Sequence, residues 1–89
     1  MLYTPPTTND LIELKSRLNK TGDQMAELFG LGGSHQWRKY TGGTQPREMS
    51  LQMLFFAAAR MTLSDDDLSR ILECMRDIGA EVEFGNGAV

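Results

Sequence analysis

Apolar residues recur at intervals of three and four along most of this 89-residue chain, which is the spacing of amphipathic helices. Leu11, Leu14 and Leu18 share one face of a first helix. A longer stripe near the C-terminus consists of Leu68, Ile71, Leu72, Met75 and Ile78. The pattern predicts an all-α fold of five helices, at about residues 8–19, 22–29, 34–41, 48–61 and 65–79. Residues 81–84 alternate polar and apolar side chains, a pattern that also fits a short C-terminal strand.

Helix starts are marked by a hydroxyl residue followed three positions later by an acid or a glutamine, the spacing of a capping box. The three pairs are Thr7 with Asp10, Thr21 with Gln24, and Ser64 with Asp67. Glycines at 30, 32 and 33 end the second helix, and glycines at 42 and 43 end the third. Residues 30–33 are therefore expected to form a tight turn between two short helices.

Several apolar residues of the short helices are expected to form a core. Met25, Leu28 and Phe29 should face inward from the second helix, and Trp37 and Tyr40 from the third. Trp37 could instead stack on nucleobases, but one aromatic pair rather than a row favours a core anchor. Residues 48–61 are apolar nearly all round, which predicts a central helix buried on most sides.

Length and composition predict one domain over residues 1–89. Within it we expect a core at 7–61, a C-terminal helical element at 62–84 that could dimerise, and a flexible tail at 85–89. The lone cysteine, Cys74, excludes an internal disulfide framework, and no signal peptide or membrane-spanning run is seen, so we expect a cytoplasmic location. No catalytic constellation is visible, and we expect neither an enzyme nor a cofactor or metal site.

Charge is distributed unevenly along the chain, whose net charge is −3. Residues 1–47 hold six cations and four acids, whereas residues 48–89 hold three cations and eight acids. Between Glu27 and Glu48 there is no acid, and this stretch carries Arg38, Lys39 and Arg47 with the only histidine. Because charges act over roughly a Debye length of ~8 Å, this local excess favours contact with phosphates despite the acidic total.

The stretch around the glycine turn resembles the lambda-repressor-like (XRE-type) helix-turn-helix regulators. Their common pattern, Thr-x-x-x-x-Ala-x-x-(Leu/Phe)-Gly-(Val/Leu), is matched by Thr21, Ala26, Phe29, Gly30 and Leu31. Trp37, Tyr40 and Gly43 match the following helix when one extra residue is allowed in the Gly32-Gly33 turn. The resemblance extends over about Thr7 to Met61. It implies a homodimeric bacterial or phage transcription regulator, most typically a repressor, with helix 34–41 in the major groove of double-stranded DNA.

The resemblance also implies roles for individual residues. Those expected at base edges are Ser34, His35 and Lys39, with Gln36 beside them, and those expected at phosphates are Arg38, Thr41, Thr44 and Arg47. The family position that often presents a glutamine to phosphate is Gly22 here. Independently of the resemblance, the apolar stripe of the fifth helix is expected to form the dimer surface, at Leu68, Leu72, Met75 and Ile78, with an extension by Val82 and Phe84; the alternative is that this helix only closes the core.

Two further interpretations stay open. The chain could be an antitoxin that represses its own operon and holds a toxin through its acidic C-terminal half. It could also be a protein-interaction module that keeps the helix-turn-helix scaffold without binding DNA. The low number of cations and the lengthened turn favour this last interpretation, and the acid-free stretch opposes it.

Overall fold

The computed structural model describes residues 1–83, and within them every regular element is an α-helix. The helices are α1 (Thr8–Leu18), α2 (Gly22–Leu28), α3 (Ser34–Thr41), α4 (Leu51–Thr62) and α5 (Asp65–Ile78). This confirms the prediction of an all-α fold with five helices. Residues 81–83 have no regular structure, and the rest of the predicted strand, with the predicted tail at 85–89, lies outside the described residues.

Contacts divide the chain into two compact units, residues 1–58 and residues 59–89, so that the boundary falls inside α4. The first unit contains α1, α2, α3 and most of α4. The second is described through residue 83 and contains the end of α4 and α5. The prediction of one domain over the whole chain stays a prediction.

The starts of α1 and α2 follow the predicted capping boxes. The Thr7 hydroxyl accepts a hydrogen bond from the Asp10 backbone N–H at 3.1 Å, while the Asp10 carboxylate accepts one from the Thr7 N–H at 2.8 Å. Thr21 and Gln24 make the same reciprocal pair, at 3.1 and 2.9 Å. Backbone N–H groups that have no partner inside a helix are thereby satisfied, which fixes both starting points.

The core of the first unit is built around α3, which packs on both α2 and α1. Its largest fully buried side chains are Trp37, Met25 and Met49. The Phe29 ring is tilted against the Trp37 indole, with 5.2 Å between ring centroids. Ala26 is completely buried, and its single methyl group lets two helices approach closely. The inward orientation predicted for Met25, Leu28, Phe29 and Trp37 is confirmed.

Gly30 makes the turn after α2 possible. Its φ of +74° lies in the left-handed region, and a Cβ there would meet the Phe56 ring at 3.2 Å. The next residue, Leu31, donates its N–H to the Ala26 carbonyl at 2.7 Å and packs its side chain on the core. The turn is thus closed by a backbone hydrogen bond and sealed by an apolar side chain.

Two predictions about α4 are wrong. The helix begins at Leu51 rather than at Glu48, because the Ser50 hydroxyl accepts from the Met53 N–H at 3.1 Å and acts as the cap. It is also not buried on most sides: Ala57 is its one buried residue, and Phe55 is 70% exposed. Met49, which lies in the loop before the helix, is buried in the core. Part of the core packing expected from α4 therefore comes from this loop residue.

In the second unit, Ser64 caps the start of α5: its hydroxyl accepts a hydrogen bond from the Asp67 N–H at 3.1 Å. The Asp67 carboxylate in turn accepts a 2.7 Å hydrogen bond from the Arg70 guanidinium. Leu68 and Leu72 are buried, whereas Ile78 is 81% exposed. Within residues 1–83, no helix combines the length and the apolar character that crossing a membrane would require.

Candidate nucleic-acid interface

The orientation of α3 is set by Trp37, whose indole is buried in the core. Successive residues of an α-helix are turned by ~100° about its axis, so His35 and Lys39 both lie about 160° away from Trp37. Arg38 lies about 100° away. All three side chains are exposed. Burial of the indole therefore turns the imidazole, the guanidinium and the ammonium group of this helix toward solvent.

The N-terminal end of α3 is held against the start of α2. The Asp23 carboxylate accepts a hydrogen bond from the Ser34 backbone N–H at 2.8 Å, and it takes the place of the side-chain cap that Gly33 cannot provide. A Cβ on Gly22 would lie only 3.0 Å from the Ser34 Cβ. Ser34 is accordingly half-buried, and its own backbone N–H is already hydrogen-bonded to the Asp23 carboxylate.

The position of Asp23 bears on the predicted contact at Ser34. A carboxylate at this point opposes the approach of a phosphate, and the half-buried hydroxyl has less access to a base edge than the sequence suggested. Sequence reasoning missed this group, because an acid in the first turn of α2 is already explained by that helix's own dipole. Only the packing of α2 on α3 assigns it to Ser34.

The C-terminal end of α3 is closed by the following loop. The Gly42 N–H donates to the Arg38 carbonyl at 2.8 Å, and the Arg47 N–H donates to the Lys39 carbonyl at 2.7 Å. Gly43, with φ of +79°, provides the reversal between these two hydrogen bonds. The loop therefore folds back on the helix and brings Arg47, eight residues along the chain, beside Lys39.

This folding creates an open depression on the surface of the first unit. It is lined by His35, Arg38, Lys39, Gln45 and Arg47, together with the glycines at 42 and 43. Four of the eight predicted contact residues are thus brought together. The other four, Ser34, Gln36, Thr41 and Thr44, are not among the lining residues. Gln45 was not predicted as a contact residue, although it lies in the loop between two residues that were.

The electrostatics of the depression favour an anion. None of its lining residues is acidic, and within residues 1–83 the structure records no ion pair for Arg38, Lys39 or Arg47. Arg38 and Lys39 also occupy the last turn of α3, where the helix dipole favours cations, so their position has a structural cause as well. Guanidinium and ammonium groups are hydrogen-bond donors, and phosphate oxygens are suitable acceptors for them.

Of the four residues predicted for a dimer surface, the structure buries two and exposes two. Leu68 and Leu72 are buried, at 8% and 7% exposure, so they present little surface to a second chain. Met75 and Ile78 are exposed, and so is Ile71 on the same helix. Val82 is half-buried, and Phe84 lies outside the described residues. The dimer itself stays a prediction, with Ile71, Met75 and Ile78 as its accessible apolar residues.

Among the described residues, no three side chains of His, Cys, Asp or Glu cluster in a way that could hold a metal ion.

Comparison of the chain with protein-family models, with curated proteins and with solved structures finds no match to any of them.

Proposed function

We propose that this chain binds double-stranded DNA sequence-specifically, through α3 and the loop that follows it, as a small helix-turn-helix transcription regulator. The observation that carries the proposal is the depression lined by His35, Arg38, Lys39 and Arg47, in which no lining residue is acidic. It lies on the exposed side of the second of two short packed helices, where such a regulator presents its recognition helix.

The residues that carry the family resemblance occupy structural roles that support the proposal. Ala26 is completely buried, and α2 packs on α3. Gly30 adopts the positive φ that the turn requires, and Leu31 packs on the core behind it. Trp37 is buried in the centre of α3, at the position where the family places an apolar residue. These roles are those that a helix-turn-helix unit needs.

The number of cations predicts how strongly DNA binding should depend on salt. If all three cations of the depression are counted as phosphate contacts, Lys39 included, the log–log slope reaches at most about −2.7 per chain, which corresponds to a roughly 40-fold loss of affinity between 50 and 200 mM salt. A dimer with six contacts would lose about 2,000-fold over the same range. One chain alone would therefore bind weakly, and we propose that the functional species is a homodimer reading two half-sites.

A charge-matched pair of double variants tests the proposal. In Arg38→Ala/Lys39→Ala, one arginine and one lysine are removed from the last turn of α3. In Lys15→Ala/Arg17→Ala, the same two residue types are removed from the last turn of α1. Both variants lose two charges and the same kind of helix-dipole interaction. A nonspecific difference in net charge or helix stability should therefore affect them equally.

Affinity for duplex DNA is measured for both variants across a salt series, with circular dichroism as the control for folding. The α3 variant should lose most of its affinity and reduce the slope by about one per chain for Arg38, or about two if Lys39 also contacts a phosphate, while the α1 variant should retain both affinity and slope. Equal losses in the two variants would remove α3 from the interface. Absence of binding by the unaltered protein at ~50 mM salt, where nonspecific affinity is high, would refute DNA binding itself.

A protein-binding role is the second candidate, and exposed apolar side chains favour it. Phe55 on α4 is 70% exposed and Ile78 on α5 is 81% exposed, so each leaves a large apolar side chain accessible to a protein partner. The antitoxin interpretation combines this role with DNA binding, and it would place a toxin on the acidic second unit. Failure to bind DNA, together with a stable complex with a co-expressed neighbouring gene product, would favour a protein partner alone.

A further inference from the structure

We infer that Gln45, in the loop after α3, reads a base of the bound DNA and contributes sequence specificity to this site. The inference rests on the proposed DNA binding and adds to it a residue that the sequence pattern did not indicate. It also moves the expected reading of sequence away from Ser34, at the N-terminal end of α3, toward the C-terminal end of the helix and the adjoining loop.

The position of Gln45 is fixed by the folding of its loop. Before Gln45, the Gly42 N–H is hydrogen-bonded to the Arg38 carbonyl. After it, the Arg47 N–H is hydrogen-bonded to the Lys39 carbonyl. Gln45 is exposed and lines the same depression as Arg38, Lys39 and Arg47. A polyanion bound by those cations would therefore meet the Gln45 side chain on the same surface.

The chemistry of Gln45 differs from that of its neighbours. Arginine and lysine carry only donors and a positive charge, so that each can bind any phosphate regardless of sequence and, at a base edge, favours guanine. The glutamine amide is uncharged and presents one donor group and one acceptor side by side. This pair matches the N7 acceptor and the N6 donor of adenine in the major groove. Gln45 adds little electrostatic affinity, and its distinctive contribution is discrimination between bases.

The start of α3 offers a poorer reading group. Ser34 is half-buried, its Cβ lies beside Gly22, and its backbone N–H is bonded to the Asp23 carboxylate. Gln36, the other glutamine of this region, is half-buried and does not line the depression. Gln36 therefore provides a matched control, because the same amide can be removed from the same helix–loop region at a position that does not line the depression.

The test is selection of binding sequences from a random duplex pool, using the full-length chain and the variants Gln45→Ala, Gln36→Ala and Ser34→Ala. The unaltered chain should select a motif that contains adenine at one position read by Gln45. Gln45→Ala should lower the preference at that one position by roughly 5- to 150-fold, while Gln36→Ala and Ser34→Ala retain the preference at that position. Circular dichroism confirms that each variant is folded.

A salt series on a nonselected duplex separates base reading from phosphate contact. Gln45→Ala should leave the log–log slope unchanged, whereas Arg47→Ala should reduce it by about one. An identical motif from Gln45→Ala, or a reduced slope in that variant, would overturn the inference and leave DNA binding intact. Binding of the unaltered chain without any sequence preference would do the same. Absence of all DNA binding would instead refute the proposed function.

Discussion

Gly22 occupies the first position of α2, where this helix passes the start of α3. A Cβ added to Gly22 would lie 3.0 Å from the Ser34 Cβ and 3.9 Å from the Trp37 Cδ1. The Ser34 Cβ is bonded directly to the backbone, and the Ser34 N–H is hydrogen-bonded to Asp23. Relief of the close contact therefore requires movement of α3 itself, because no flexible side-chain end can turn away.

Two opposing effects decide the outcome of Gly22→Ala. Replacing glycine by alanine reduces the conformational entropy of the unfolded chain and stabilises a protein by about 0.4–1 kcal/mol where the native geometry permits it. Inserting a methyl group into a closely packed contact costs about 1–3 kcal/mol. The second effect is larger, so we expect Gly22→Ala to destabilise the protein by about 1 kcal/mol, or roughly 4–8 °C in melting temperature.

Gly32→Ala provides the matched control. A Cβ on Gly32 would have its nearest neighbour at 3.9 Å, an ordinary contact with the Gln36 side chain, and no left-handed φ opposes the change. The entropic effect is then unopposed, and the melting temperature should rise by a few degrees. Thermal unfolding followed by circular dichroism should give opposite signs for the two alanine variants.

Removal of the Ser34 Cβ tests the assigned cause directly. Ser34→Gly is destabilising by itself, since glycine is a poor helix former, but it eliminates the contact that Gly22→Ala creates. The double variant should therefore be more stable than the sum of the single changes predicts, with a coupling of about 0.5–3 kcal/mol. If Gly22→Ala raised the melting temperature as Gly32→Ala does, the close approach of α2 and α3 would be refuted.

Two further predictions concern the core and the first helix cap. Trp37→Ala should destabilise the protein by about 3–5 kcal/mol, because it empties a fully buried site beside Phe29. Chemical denaturation measures this, and a soluble Trp37→Ala protein with an unchanged midpoint would mean that α3 faces the other way. For the cap, the backbone N–H and then the side chain of Thr7 hold the pKa of the Asp10 carboxyl below its ordinary value of 3.8. The stability that this carboxylate adds is thus fully present above pH 3.8 and is lost as the pH falls through the lower folded-state pKa. The melting temperatures of the unaltered protein and Asp10→Asn should therefore converge in acid, with Glu13→Gln as the control. A difference between their melting temperatures that does not change with pH would contradict this assignment.

The parts of the fold that follow from local rules were predictable from the sequence. Thr7 and Thr21 mark helix starts because each cap and its partner lie three residues apart, and no tertiary information is needed to see them. The buried face of α2 and the inward Trp37 follow from helical periodicity in the same way. The loop glycines were recognisable as turn residues, although only the structure shows which of them adopt positive φ.

The parts that depend on packing between elements were not predictable. The hydrogen bond from Ser34 to Asp23 joins residues on two different helices, and nothing in either local pattern pairs them. The start of α4 was misplaced because Ser50 caps the helix without a glutamate or glutamine three positions later. An apolar run such as 51–59 has no polar face to define its orientation, so the exposure of Phe55 was also missed. Gln45 joined the candidate site only through the folding of its loop.

The loop that carries Gln45 and Arg47 is held at several points in the free protein. The Lys39 carbonyl fixes the Arg47 backbone at 2.7 Å, Met49 is buried, and the Met49 carbonyl accepts a 2.7 Å hydrogen bond from the Tyr3 hydroxyl. The conformational entropy lost by ordering this segment is therefore lost during folding rather than when a ligand binds. A partner bound in the depression would meet a surface that is already arranged, and the Tyr3 hydrogen bond would then add to its affinity from outside the contact surface.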